Sequence, residues 1–191
     1  NGKLGAMVFG GVGSERIQMN EDSIWAGPPV PKAQAGAREA IVEARTLLFE
    51  GRYTEAQHLV QTRVMGQRIS PRSFQPLGDM SISLEGATDY TDYFRELNLE
   101  TAIATTRWRT HGTAFNREVF ASAVDQSIIC RMEADTDLAL PCRMSFYRAE
   151  NAEWVARAPG LLLVTGRAGQ GSLHPGVRFA AALMVASEGG D

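Results

Sequence analysis

The sequence predicts a mainly β protein, an antiparallel sandwich (or super-sandwich) with an αα-hairpin inserted near residues 34–66. Three observations carry that expectation. From residue 75 onward apolar and polar residues alternate with period two, Met80, Ile82 and Leu84 against Ser81, Ser83 and Glu85. Turn residues interrupt these runs at short intervals, as a sandwich requires. One stretch, spanning residues 37–65, switches to helical spacing.

In chain order, Ala6–Val12 and Glu15–Asn20 read as strands joined by Gly11-Val12-Gly13-Ser14. In the second strand Glu15, Ile17 and Met19 fall on one face, and Arg16, Gln18 and Asn20 on the other. Pro28, Pro29 and Pro31 break the pattern. Ala37, Ala40, Ile41, Ala44, Leu47 and Leu48 then form one helix face, with Gly51 as its stop. A second helix over about Tyr53–Met65 places Tyr53, Ala56, Val60 and Val64 together, and Gly66 closes it. The pair resembles a single tetratricopeptide-like hairpin, and a solenoid needs about three such units, so the expectation is an insertion packed on a β body. Thr101–Thr110 and Thr113–Ser122 meet across His111-Gly112, a two-residue hairpin turn. Further strands are expected at Gln126–Glu133, Leu138–Tyr147, Glu153–Arg157, Leu161–Arg167 and Val177–Ser187.

Composition narrows the function. The net charge of −3 supplies no basic field for nucleic acid or anionic lipid, and no apolar run approaches the roughly 20 residues needed to span a bilayer. Cys130 and Cys142 lie in apolar, strand-like surroundings and read as small buried hydrophobes rather than a disulfide. His58, His111 and His174 are too scattered for a metal site. No phosphate loop, nucleophile elbow or cofactor signature is present. No metal, cofactor, nucleic acid or membrane partner is therefore expected. Both ends look cut, inside an Asn1-Gly2 turn and after Glu188-Gly189-Gly190-Asp191. A sandwich truncated there would leave unpaired edges and favour self-association.

Two segments are candidate site loops. Asn20-Glu21-Asp22-Ser23-Ile24-Trp25-Ala26-Gly27 combines carboxylates with an indole. A glycosidase needs two carboxyls about 5–5.5 or 6.5–9.5 Å apart across the sugar. Glu21 and Asp22 are sequence neighbours that point to opposite faces of an extended chain. Two readings stand: a strand-to-loop turn held by Asn20 and Asp22 with Trp25 packed beside it, or one wall of a sugar pocket. Ser73-Phe74-Gln75-Pro76-Leu77-Gly78-Asp79 is either a structural reversal or a loop that brings Gln75 to a ligand. Trp25, Trp108 and Trp154 serve as core anchors or as a stacking platform for sugar, and the face bearing Trp108 looks buried.

Five blocks in order resemble the N-terminal β domain of glycoside hydrolase family 95, the α-L-fucosidases. They are Asn1–Gly11 with Arg16–Gly27, Leu47–Ala56, Gln75–Asp79, Asp92–Ala102 and Arg117–Ser122. The resemblance implies one β-sandwich domain over 1–191, followed in such enzymes by a helical linker, an (α/α)6 barrel and a C-terminal β domain. It implies inverting hydrolysis of α-L-fucosides, or in some members α-L-galactosides, by residues of the barrel. No catalytic residue is thus expected in this chain, which would be inactive alone. Its expected partners are that downstream barrel and a fucosylated or galactosylated glycan. Asn20, Glu21, Asp22, Trp25 and Gln75 are the candidate substrate-binding residues, on loops able to face the barrel. Family members are often exported, and the sequence itself assigns no compartment. The alternative is an autonomous carbohydrate-binding module.

Overall fold

Alternation builds the first sheet. The computed structural model describes residues 1–27, 34–66, 73–136, 141–169 and 176–188. Strand β2 (Ser14–Glu21) buries Glu15 and Ile17 while Ser14 and Arg16 face outward. Strand β3 (Gly78–Leu84) buries every second residue, and the two pair antiparallel with Ile17 opposite Met80. Strands β1 (Leu4–Val8) and β8 (Cys142–Tyr147) complete the order β1-β2-β3-β8.

The second sheet is the meander β4 (Thr91–Asn98), β5 (Ile103–Thr110), β6 (Thr113–Ser122) and β7 (Ser127–Ala134). At the β5–β6 turn His111 and Gly112 both take positive φ, 49° and 81°, which matches the strand twist as the expected two-residue turn requires. The third sheet has the order β11-β10-β9, from β9 (Ala152–Ala158), β10 (Leu161–Arg167) and β11 (Arg178–Met184). Every described strand pairing is antiparallel.

The first two sheets face each other. Ile17, Met80 and Ile82 meet Val119, with Val8 and Ile128 at the margin. Val12, Leu84 and Ala87 meet Trp108 and Phe115, whose rings stack 5.3 Å apart. Trp108 is 1% exposed, as its register with Thr106 led one to expect. A third cluster of Ile24, Leu77 and Ala168, joined by Phe179 and Ala181, ties the third sheet to the first. Each large apolar side chain so buried contributes about 1.5–3 kcal/mol.

One ion pair crosses the sandwich. Glu15 on β2 and Arg117 on β6 are both fully buried and bonded to each other. The other Glu15 carboxylate oxygen accepts the amides of Phe9, Gly10 and Arg16 at 3.1, 2.9 and 3.0 Å. Arg117 also donates to the Gly11 carbonyl at 2.7 Å and lies 5.3 Å over the Trp108 ring. From β4 the Tyr93 hydroxyl donates to the Gly10 carbonyl, and Arg95 donates to those of Phe9 and Val8. Gly10, at φ 77°, has no room for a Cβ, which would stand 2.6 Å from the Arg95 side chain. The β1–β2 connection is thus gripped from both sides.

Gly27–Arg72 forms a separate compact unit. In it α1 (Ala37–Phe49) and α2 (Tyr53–Arg63) pack as a pair, with Ala40, Ala44 and Ala56 buried and Arg63 bridged to Glu43 at 3.3 Å. The expected apolar face is therefore narrower than its sequence spacing: Ile41 and Leu48 are each nearly half exposed, and alanines make the close contact.

Three sequence expectations shift. Strand β4 was not anticipated, because all eight of its residues are exposed and it carries no alternation. β1 begins at Leu4 and stops at Val8; just past it the Phe9 amide is shared between the Arg16 carbonyl and Glu15, and the Gly10 amide turns to Glu15. Both cysteines are free, but Cys142 is exposed and Cys130 only partly buried. The proline-rich stretch 28–33, residues 138–140 of one expected strand, His174 and residues 189–191 lie outside the described residues.

Replacing Arg117 with Met leaves the Glu15 carboxylate buried without its countercharge, and unfolding stability falls by about 3–5 kcal/mol. The double replacement Glu15→Gln with Arg117→Met falls by less; denaturant titration of both variants checks this. Burial pushes the Cys130 thiol from 9.0 up to about 11, offset in part by Arg117. At pH 8 its thiolate fraction is then about 100-fold below that of an unperturbed thiol; burial raises the Cys142 thiol too, but Cys142 is exposed, so it reacts first with a disulfide reagent and Cys130 lags. Mass spectrometry of the partly labelled chain reads that order.

Candidate functional site

The five candidate residues sit where β2 leaves the first sheet. Asn20 pairs with Gly5 and shares the outer face with Gln18 and Arg16. Glu21 ends the strand, and one of its oxygens accepts the Ser23 amide at 2.9 Å and hydroxyl at 2.6 Å. Burial pushes its carboxyl up, but the two Ser23 bonds, the Asp22 bond and the Lys3 charge together hold it below the usual carboxylate range. It is therefore an ionised turn-former, unsuited to act as a general acid at neutral pH. Asp22 is exposed; its amide donates to the Lys3 carbonyl and its own carbonyl accepts the Trp25 indole N–H at 2.8 Å.

Trp25 and Phe74 form an aromatic corner. Their rings meet edge-on at 5.4 Å, and they remain 44% and 42% exposed. The backbone beneath them is a short antiparallel strap. Trp25 bridges Phe74, Ala26 donates to the Ser73 carbonyl at 2.8 Å, and Gln75 donates to that of Ile24 at 2.9 Å. Val177, just before β11, donates to the Trp25 carbonyl at 3.3 Å.

Gln75 is spent on this frame. Its amide nitrogen donates to the Gly169 carbonyl at 3.0 Å, and its oxygen accepts from Arg148 at 2.7 Å. Arg148 also donates to the carbonyls of Pro76, Leu77 and Glu150 and stacks 4.5 Å from the Phe179 ring centroid. Partial burial draws its guanidinium below the ordinary arginine value, while Glu150 pulls the other way. The structure thus gathers Glu21, Asp22, Trp25 and Gln75 into one loop cluster, with Asn20 on the adjoining sheet face. Sequence reasoning passed over Phe74 and Arg148. A lone arginine after a strand carries no spacing signal, and the role of Phe74 follows from its bridge to a residue 49 positions away.

A concavity of about 550 Å³ lies on the outer face of the second sheet, with Asp92, Glu133 and Asp135 in its lining. These carboxylates are committed and open to water. Asp92 is 74% exposed and faces Arg109 at 3.6 Å; Glu133 pairs with Arg131; Asp135 accepts the Ala114 amide at 2.8 Å. None has the desolvated setting that raises a glycosidase acid. Among the described residues no group of side chains is placed to hold a metal ion.

The whole chain, residues 1–191, matches the family model described as "Glycosyl hydrolase family 65, N-terminal domain". It is 38% identical over 149 residues to "Alpha-L-fucosidase 2" of Arabidopsis thaliana, covering 76% of this chain and 17% of that protein. "Probable alpha-fucosidase A" of Aspergillus oryzae is 27% identical over 146 residues, with 73% of this chain and 20% of that protein covered. Its namesake in Aspergillus niger is 28% identical over 148 residues, with 72% and 18% covered. The chain spans about a fifth of the length of the curated relatives it matches.

Arg148→Met removes the donor from three carbonyls and from Gln75 at once, so the strap loosens. We expect a stability loss of about 1–3 kcal/mol, together with faster hydrogen exchange at the Gln75 and Leu77 amides. Trp25→Phe, which loses the indole bond to Asp22 and trims the contact with Phe74, costs no more than about 1.5 kcal/mol and leaves the exchange of those two amides unchanged.

Proposed function

Because the chain belongs to the family of glycosyl hydrolase family 65 N-terminal domains, we propose that it is the non-catalytic β part of an inverting α-L-fucosidase-like glycoside hydrolase. In that reading it packs against a separate (α/α)6 barrel and completes one wall of the barrel's pocket for a fucosylated or galactosylated glycan. The α-fucosidase relatives support the substrate class. The observation that carries the pocket role is the Trp25–Phe74 corner, an exposed aromatic edge on a frame too heavily bonded to collapse. Aromatic rings of this kind pack against the C–H faces of sugars, and Asp22 beside them offers a carboxylate to hydroxyls. Direct acid–base chemistry is not assigned here, because Glu21 is held ionised by Ser23 and Asp22 lies in water.

The same corner favours a second reading, an autonomous carbohydrate-binding module that holds fucosylated glycan without a barrel. One preparation separates the two. The purified 191-residue chain is expected to release no nitrophenol from p-nitrophenyl α-L-fucoside, and to give a flat calorimetric titration with L-fucose up to about 10 mM, the regime of the weakest specific binding. Turnover by the chain alone overturns the non-catalytic assignment. Saturable fucose binding that Trp25→Ala abolishes transfers the corner to the second reading.

A further inference from the structure

The outer face of the third sheet carries an arrangement that the proposed function leaves unused. The β10–β11 register sets Arg167 directly opposite Arg178 and Thr165 opposite Ala180. On the other flank Thr165 faces Glu153, and the Arg167 amide donates to the Asn151 carbonyl at 2.9 Å. Residues between them, Val164, Phe179 and Ala181, point into the core. Alternation therefore puts both arginines, Thr165 and Glu153 on the solvent side, where they line a concavity of about 790 Å³.

Like charges directly opposed across an antiparallel pair destabilise it. Among the described residues neither guanidinium has an ion-pair partner. Glu153 is the one acid in the described lining, set against two arginines and a full row away from them. A pair of guanidinium forks at one strand position is a matched donor set for a tetrahedral or planar oxyanion. Further along the same face a row is apolar, with Leu163 between Ala182 and Val155. Val155 is 49% exposed, so a hydrocarbon ledge lies two rows from the arginines, beyond Thr165 and Ala180.

We propose that this face is a binding site for an anionic saccharide, whose sulfate or carboxylate lies between Arg167 and Arg178 and whose ring rests over the adjoining Thr165–Ala180 row. The anion cancels the cross-strand repulsion, the Thr165 hydroxyl and the Glu153 carboxylate meet ring hydroxyls, and the small Ala180 leaves room for them. The site is separate from the Trp25 corner and stands whether or not that corner serves a fucosidase pocket.

The test is an amide-resolved NMR titration of the 191-residue chain with glucose 6-sulfate, sodium sulfate and glucose in parallel. Glucose 6-sulfate is expected to shift residues 165–167 and 178–180 saturably, with a Kd of about 1 mM, while sodium sulfate binds about tenfold more weakly and glucose more weakly still. Arg167→Gln and Arg178→Gln each weaken glucose 6-sulfate by about tenfold or more. Arg167→Lys, which keeps the charge and loses the fork, retains part of the affinity. Without ligand the Gln variants melt at the same temperature as the parent or higher, because a repulsion has been removed; arginines needed only for folding would give the reverse. Absence of saturable shifts with glucose 6-sulfate overturns the site. Equal affinity for sodium sulfate overturns its assignment to a saccharide, and shifts centred on Trp25 and Gln75 overturn its location.

Discussion

The pair of Glu15 and Arg117 is the constraint on which the sandwich depends. A carboxylate and a guanidinium with no exposure at all are tolerable only if their hydrogen bonds are supplied internally. Glu15 meets that condition by drawing two backbone amides of the β1–β2 connection and that of Arg16 in β2 to one oxygen. Arg117 meets it in part, through Glu15 and the Gly11 carbonyl, with the Trp108 ring beneath it. Its Nε and Nη1, like the Trp108 indole nitrogen, have no hydrogen-bond partner among the described residues. The two ions therefore hold the β1–β2 connection at Phe9–Gly11, with Phe9 still bonded to the Arg16 carbonyl, and tie the first sheet to the second. An apolar pair of similar volume would fill the same space without specifying any of these.

Arg148 repeats the device on a smaller scale at the other join. It collects the carbonyls of Pro76, Leu77 and Glu150 and the side chain of Gln75, and it covers Phe179 of the third sheet. In each case an arginine satisfies backbone carbonyls that a connection leaves without strand partners. The consequence for function lies in the frame. Trp25 and Phe74 stand on backbone bonded to Val177, just before β11, on one side and to the Arg148 cluster through Gln75 on the other. An aromatic edge held in this way presents one shape to a partner and loses little entropy on binding.

The three sheets differ in what they leave open. The first two bury one face of each against the other, and β4 stays exposed over its whole length while its Tyr93 and Arg95 hold the β1–β2 connection. The third buries little beyond Val164 and Ala168, and its outer face grades from two opposed arginines to an apolar row. Trp154, on edge strand β9, is half exposed, so of the three tryptophans only Trp108 is a core anchor.

Period-two alternation read β3 and β6 from sequence almost to the residue, because each has one face buried and one open, and β5 and β10 were expected within two residues of their ends. Helical spacing located α1 and α2 for the same reason. The blocks from Asn1 to Ser122 resembled the N-terminal domain of α-L-fucosidases; the chain matches the family 65 N-terminal domain model over its whole length and an α-L-fucosidase over 76% of it. Sequence also marked the segment Asn20–Trp25 and Gln75 as belonging to special loops. It did not reveal what those loops do to each other. Glu15 looked like one more member of an alternating face, yet it is the buried ion at the centre of the fold. Gln75 stood between a structural reversal and a ligand contact, and its side chain bonds Arg148 and Gly169. β4 was invisible, since its fixed points are hydrogen bonds to carbonyls 83 to 87 residues away. Periodicity records which side of a strand meets water. Which charge meets which, across sheets far apart in the chain, is settled only when the sheets close.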